Sequence, residues 1–488
     1  MSYTISEIDG ATAKASQPAS NAKGVPVRPV NGSCLYDANG NPIVVSSGDA
    51  LGSTKGVPVL GSDGTNFRLL KTNASGELSI SASTNNGSDS NKYYITPFGE
   101  QKVAAPYALL DEINTYYLDP TIWGTSLAGT ASVIFNATKG MTEVRVGANN
   151  NDRARLRTHT YYKYQTGKAH QIRISVVHPD TGKSNQTRRW GYLEDNDGLF
   201  FELVGVYSAG STQLRIVRRT STSGSPVVGE SVNQADWNVD KMNGTGPSGV
   251  TLDITKGNLY EVIFQYLGVG YAWFFINGNL VHIMHNPNTI AGMYMRTAQL
   301  PVQVEVVNTG SSVASGIDFC CASVSSFGGT KPPMTAYGVK RSSFKNVNTT
   351  SQPILAIRPR ATFQGRTNRM QIIPTMLEAQ ADNRDAIFSL LLNPTLTGAS
   401  FSAVATDSGV EYDTSATGVS GGTLLYNVRI AYPEVASNVF DLERVFSYLC
   451  RTLKLNAFAT VQDTLVVAAN TDAATVDVNA SLFWDETK

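Results

Sequence analysis

From 93 to 328 the chain alternates apolar and polar residues in short runs with a period of two. His170-Gln171-Ile172-Arg173-Ile174-Ser175-Val176 places Ile172, Ile174 and Val176 on one face, as a half-buried strand does. Tyr260, Val262, Phe264 and Tyr266 share a face, with Glu261 and Gln265 opposite. Val302, Val304 and Val306 repeat the pattern, and further apolar runs occupy 199–206, 214–217, 272–276 and 280–284. Turn signals separate them. Leu267-Gly268-Val269-Gly270 reverses the chain, and Asn277-Gly278 marks a hairpin tip, because both residues tolerate positive φ. Many short strands at regular spacing predict a β-sandwich or barrel.

A Gly/Pro-rich joint, Phe327-Gly328-Gly329-Thr330-Lys331-Pro332-Pro333, predicts a domain boundary. Beyond it, strand-like runs fall at 354–357, 370–373, 386–392, 423–430 and 465–468. One segment changes period. Over 439–455, Leu442, Val445, Phe446, Leu449 and Leu453 form a stripe at helical spacing, with Asn438 as cap and Asp441 in the first turn. The fold class expected is mainly β: an extended N-terminal arm over 1–92, a central β-sandwich over 93–328, and a C-terminal β-sandwich with one covering helix over 329–488.

The arm has a pattern of its own. Lys23-Gly24-Val25-Pro26-Val27 recurs as Lys55-Gly56-Val57-Pro58-Val59, and each copy leads into a polar turn and a short apolar run. The segment is too polar to offset its own ordering entropy by burial. Its apolar beads predict docking on a partner chain through Val25, Val27, Val57, Val59, Leu69, Leu70, Leu78 and Ile80. The stretch 81–90, rich in Ser and Asn, reads as the closing linker.

Composition narrows the function classes. Only 16% of the 488 residues are charged, and the 39 Lys and Arg balance 39 Asp and Glu. A neutral chain predicts no broad nucleic-acid footprint. Arg153, Arg155 and Arg157 alternate as the polar side of a strand, open to solvent, a neighbouring subunit or an anionic ligand. No apolar run approaches ~18 residues, so membrane insertion is not expected. The N-terminus lacks a basic-then-apolar signal region, which predicts synthesis in a cytoplasm. Cys34, Cys320, Cys321 and Cys450 include no CxxC pair, so a disulfide scaffold is not signalled.

The chemistry-bearing motifs are sparse. Glu194-Asp195-Asn196-Asp197-Gly198 is the strongest site candidate, with hard oxygen ligands that could serve Ca²⁺, but it lacks the full spacing of a calcium loop. Glycoside hydrolysis needs two carboxylates across a cleft, and no Glu-x-Asp-x-Glu run supplies them on one strand face. His282 and His285 fall on opposite faces of a strand. There is no Gly-x-Ser-x-Gly, His-Glu-x-x-His or phosphate-binding glycine loop. The expectation is no catalytic residue, no metal and no cofactor. Tyr161, Tyr162, Tyr164, Trp237, Trp273 and Phe275 remain; of these, Tyr162 and Trp237 are the predicted ligand-binding aromatics, since rings with polar neighbours suit sugars.

Two resemblances add to this. Residues 252–264, followed by Trp273-Phe274-Phe275-Ile276-Asn277-Gly278-Asn279-Leu280-Val281, resemble the back hairpin of concanavalin A-like or laminin-G-like jelly rolls. That implies a jelly-roll topology for the central sandwich. The family's metal-binding aspartates find no counterpart, so lectin activity is not implied. The stretch 56–78, with Asp63-Gly64-Thr65-Asn66-Phe67-Arg68-Leu69-Leu70, and the stretch 153–282 are similar to structural proteins of tailed bacteriophages. This implies a non-enzymatic virion component anchored by its arm to other virion proteins. A tail-fibre or baseplate position is favoured over a capsid decoration or head fibre. The sandwiches would oligomerise, with a trimer favoured, and a host surface glycan is a possible partner. The rival expectation is a carbohydrate-binding module or glycan depolymerase.

Overall fold

The computed structural model describes residues 60–62, 67–69, 105–328, 334–432, 438–448 and 452–487. Residues 1–85 and 86–488 are separate units. In the first, Leu60–Ser62 pairs antiparallel with Phe67–Leu69, setting Leu60 opposite Leu69. Val25, Val27, Val57, Val59, Leu70, Leu78 and Ile80 lie outside the described residues, so the structure does not bear on their expected role.

The second unit is mainly β, as the alternation requires, and holds two sandwiches. In the first, the front sheet runs Val227–Asn233, Leu214–Thr220, Gly198–Val204, Gln186–Leu193, Val302–Asn308, Arg153–Thr158, Trp123–Ala128 across its described strands. The back sheet runs Asn279–Met284, Ala272–Ile276, Asn258–Phe264, His170–Val177, Ser315–Phe327, Met141–Val146, Ser132–Asn136, and Pro106–Ile113 pairs the far half of Ser315–Phe327. All pairings are antiparallel, and the chain crosses between sheets at 113–123, 128–132, 146–153, 158–170, 177–186, 233–258, 284–302 and 308–315. This crossing gives the jelly-roll type of sandwich. Ile172, Ile174 and Val176 meet Val302, Val304 and Val306 in one core, where Trp190 packs edge-on against Tyr260 at 5.0 Å. The Asn277-Gly278 tip has φ of 51° and 79°, the turn anticipated for that dipeptide.

The second sandwich packs a sheet of Thr335–Lys340, Val476–Thr487, Gln371–Ala381 and Asn438–Asp441 against one built around Gln352–Pro359, Leu465–Asn470, Ala386–Leu392 and Thr423–Ile430. Its core includes Ile357, Phe388, Trp484 and the cross-strand pair Leu390 and Val467. The expected helix over 439–455 is corrected here. Asn438–Asp441 is a strand, captured by the edge of Gln371–Ala381. The helix is limited to Glu443–Tyr448, with Asp441 Oδ1 accepting the Glu443 amide at 2.9 Å. Leu442, Phe446 and Leu453 are buried, but Leu453 gets there by an extended bridge to Ile372. Apolar spacing set which side chains face inward; the free sheet edge decided the backbone. Leu449 lies outside the described residues. No described helix is long and apolar enough to cross a membrane.

The outward face of the front sheet carries a row of alternating charge. In register across the strands stand Arg155, Glu305, Arg189, Glu202 and Arg215. Glu305 is 1% exposed. It accepts from Arg153 Nε at 2.6 Å and from Arg189 Nη1 at 3.0 Å, and Arg189 Nε also holds Glu202 at 2.7 Å. Burial pushes the Glu305 carboxyl up, but Arg189 and Arg153 outweigh it and hold the group below its ordinary range. Of the alternating arginines, Arg155 and Arg157 are largely covered, while Arg153 is partly exposed. Arg153, Arg155 and Arg157 all reach Asp195, at 3.3, 3.0 and 3.3 Å, and so bind the acidic turn to the sheet.

The second sandwich docks on this face. The Phe458 ring lies under the Arg155 and Arg157 guanidinium groups at 5.1 and 4.9 Å. The Ala457 amide donates to His159 Nδ1 at 2.9 Å, Lys454 Nζ to Thr160 Oγ1 at 2.8 Å, and Gln299 Nε2 to the Arg369 carbonyl at 2.6 Å. Burial holds the His159 pKa below its usual value, in keeping with a ring that must accept on Nδ1. Gly124 permits the approach: a Cβ there would stand 2.9 Å from both Ala457 Cβ and His159 Cε1.

Two outcomes follow. Glu305→Ala strands the Arg153 and Arg189 charges and is expected to cost about 3–5 kcal/mol in denaturant unfolding. In the parent chain Glu305 has a lowered folded pKa, so its contribution is complete above the ordinary value of 4.5 and is lost as pH falls through the folded value; the variant should lack that part of the acid transition. Gly124→Leu is expected to part the sandwiches while each keeps its own core. Limited proteolysis of the full chain would then cut first within 328–334, and an unchanged cleavage pattern would count against the docking geometry.

Candidate functional site

The acidic turn, once tied down by Asp195, becomes one wall of a cleft between the two sandwiches. The cleft has a volume of about 720 Å³, within the range of ligand sites. Tyr161, Glu194, Asn196, Asp197, Arg296 and Gln299 come from the first sandwich. The second contributes Phe363 to Met370 from the Thr362–Phe363 and Arg366–Thr367 hairpin and the chain after it.

Each wall has a local cause. Glu194-Asp195-Asn196-Asp197 links two paired front-sheet strands, and the Glu194 amide donates to the Asp197 carbonyl at 2.9 Å, closing the turn. Asp197 is 1% exposed. Its Oδ1 accepts from the Ser221 amide at 3.2 Å and the Arg296 amide at 2.8 Å, and its Oδ2 from Ser221 Oγ at 2.8 Å. Burial raises the Glu194 carboxyl above its ordinary pKa, with Arg157 opposing. Burial also pushes up the Asp195 carboxyl, but Arg157, Arg155 and Arg153 prevail and lower it. Two carboxyls on adjacent residues thus shift in opposite directions.

On the facing wall, Gln364 and Gly365 both have positive φ, 49° and 73°, which makes a two-residue hairpin turn. The register sets Phe363 directly across from Arg366. Behind them the Arg369 guanidinium lies 3.8 Å from the Tyr161 ring centroid and donates to Tyr161 Oη at 3.0 Å and to the Asn456 carbonyl at 2.8 Å. Asn368 is buried and donates to the Gly409 carbonyl at 2.8 Å. The polar lining is held by the protein, while Phe363 is half-buried and Arg296 and Arg366 are exposed.

The structure takes the predicted ligand-binding aromatics elsewhere. Tyr162 and Trp237 are 3% and 2% exposed and sit in the first core. Tyr162 bridges to Leu300 through its backbone, and Trp237 Nε1 donates to the Val232 carbonyl at 3.3 Å. Both rings are enclosed by the core, and it is Tyr161, beside Tyr162 in sequence, that lines the cleft. As for a metal, the acidic turn divides its carboxylates among Asp195's arginines and Asp197's amides. Among the described residues no three His, Cys, Asp or Glu side chains gather. His282 accepts the Asn238 amide on Nδ1 at 3.2 Å, while His285 packs on Tyr271. Phe363, Arg366, Arg296 and Gln299 were not singled out from sequence. A Gln-Gly turn between Phe363 and Arg366 was the available signal, a weak one.

No protein-family model matches the chain, and no curated protein sequence does. Solved structures do match it. The Bacillus licheniformis β-glucanase is 10% identical with a TM-score of 0.29, covering 46% of this chain and 98% of its own. The metal-free Emp46p carbohydrate recognition domain is 9% identical with a TM-score of 0.27, covering 45% and 95%. The endo-1,3-β-glucanase of Streptomyces sioyaensis is 10% identical with a TM-score of 0.32, covering 45% and 94%. None of these three is a phage protein. The expectation of a chain without enzymatic activity is corrected at this point and dropped, since glucanases stand among the structures it matches.

Proposed function

We propose that this protein recognises a glycan in the cleft between its sandwiches. The observation that supports this reading is the make-up of that cleft: one accessible aromatic ring, Phe363, set among amide, carboxyl and guanidinium groups that the fold already holds in place. A sugar presents an apolar ring face edged with hydroxyl groups. It is bound well where an aromatic platform meets fixed donors and acceptors, because little side-chain entropy is then lost. Glu194 and Asp197 give the same cleft two carboxyls, and burial raises the first above its ordinary pKa. Binding is the function proposed, and the assay should also register cleavage. The N-terminal repeat would then serve as an anchor for a glycan-binding head, in keeping with the attachment role read from the sequence.

The test is an array of oligosaccharides probed with the full chain, followed by product analysis on any glycan retained. Phe363→Ala is expected to weaken the strongest interaction about tenfold, equivalent to ~1.4 kcal/mol, without changing the unfolding midpoint. Retention of no glycan by the parent chain, or undiminished retention by the variant, would reject the cleft as the site.

A further inference from the structure

Beside the cleft lies a second hollow of about 540 Å³, lined by Ser221, Thr222, Gly224, Gly292, Met293, Arg296 and Arg366. Ser221, Arg296 and Arg366 line both hollows, so the two form one groove with the arginines at the junction. Most guanidinium groups nearby are already engaged. Arg153, Arg155 and Arg157 hold Asp195, Arg189 holds Glu202 and Glu305, and Arg369 lies on Tyr161. Arg296 and Arg366 differ: both are exposed, and neither has an ion-pair partner among the described residues.

The carboxyls at the junction are less exposed than these arginines. Asp197 is buried with both oxygens turned to Ser221 and the Arg296 backbone amide. Glu194 is half-buried and accepts from Asn196 Nδ2 at 3.4 Å. The exposed charge at the junction is therefore that of the two guanidinium groups. It is also offered in register with the aromatic platform, for Phe363 and Arg366 are directly cross-strand, about 5 Å apart at their Cβ atoms in such a pair. That is the breadth of one pyranose ring. A sugar stacked on Phe363 would bring an exocyclic carboxylate to Arg366, with Arg296 facing it from the other sandwich. Guanidinium groups suit this task because their fork matches a carboxylate.

We infer that the groove takes an acidic glycan, one bearing uronate or sialate carboxylates, with Arg296 and Arg366 as the residues that read its charge. This rests on the glycan reading above and narrows it to a substrate class. The experiment uses the full chain on an array of uronate- and sialate-bearing glycans, each beside its carboxyl-methylated form. The acidic forms should bind at least tenfold more tightly, with affinity falling as salt rises. The double variant Arg296→Gln, Arg366→Gln should lose that preference while keeping its unfolding midpoint. Arg366→Lys, which keeps the charge but not the fork, should recover only part. If methylated and acidic forms bind alike, or if the double variant keeps the preference, the inference fails while the glycan reading stands. If nothing on the array binds, both fail.

Discussion

A single carboxylate, Glu305, is nearly sealed inside the outward face of a β-sheet, and much else follows from what it takes to keep it there. A buried charge is tolerated only with close partners of opposite sign. Arg153 and Arg189 supply them, and each arginine brings a further obligation. Arg189 must share Glu202, and Arg153 belongs to a row with Arg155 and Arg157 that would repel itself without Asp195. Asp195 is therefore drawn down onto the sheet, and the turn that carries it takes a fixed place. Arg155 and Arg157, so placed, lie over the Phe458 ring, and with it a whole second sandwich docks.

The cleft is a product of that docking. Neither sandwich holds it alone: the acidic turn forms one wall and the 362–370 segment the other. Its polar groups are positioned by bonds made for structural reasons, as in Asp197 with Ser221 and Arg369 with Tyr161. Electrostatic work done to stabilise the interface leaves Glu194 and Asp195 with opposite leanings in protonation. In this molecule the chemistry of the site and the stability of the fold draw on one network.

Much of the fold could be read from the sequence because period-two alternation reports a sheet face directly. The strands at Ala272–Ile276, Ala386–Leu392 and Thr423–Ile430 fall where the apolar runs fall, and the Asn277-Gly278 turn has the backbone its residues require. The helix over 439–455 did not survive, since apolar spacing cannot say that a neighbouring strand has an edge to fill. The site was legible only in half. Glu194 to Gly198 stands out as a run of carboxyl and amide groups, and its place in the chain could be named. Phe363, Arg366 and Arg296 are isolated residues that tertiary docking brings together, and no local pattern marks them. Tyr162 and Trp237 misled for the complementary reason: an aromatic beside polar neighbours looks alike in sequence whether its ring turns inward or outward.

The hairpin of Phe363 and Arg366 stands apart from both large sheets, paired only with itself. Its turn residues, Gln364 and Gly365, are exposed, and a Cβ on Gly365 would meet nothing within 4 Å. Such a finger can lengthen, shorten or change its residues without disturbing either core. The molecule therefore separates what must be conserved to fold from what can drift to suit a new target, and its descendants could diversify at this finger while the scaffold behind it stays the same.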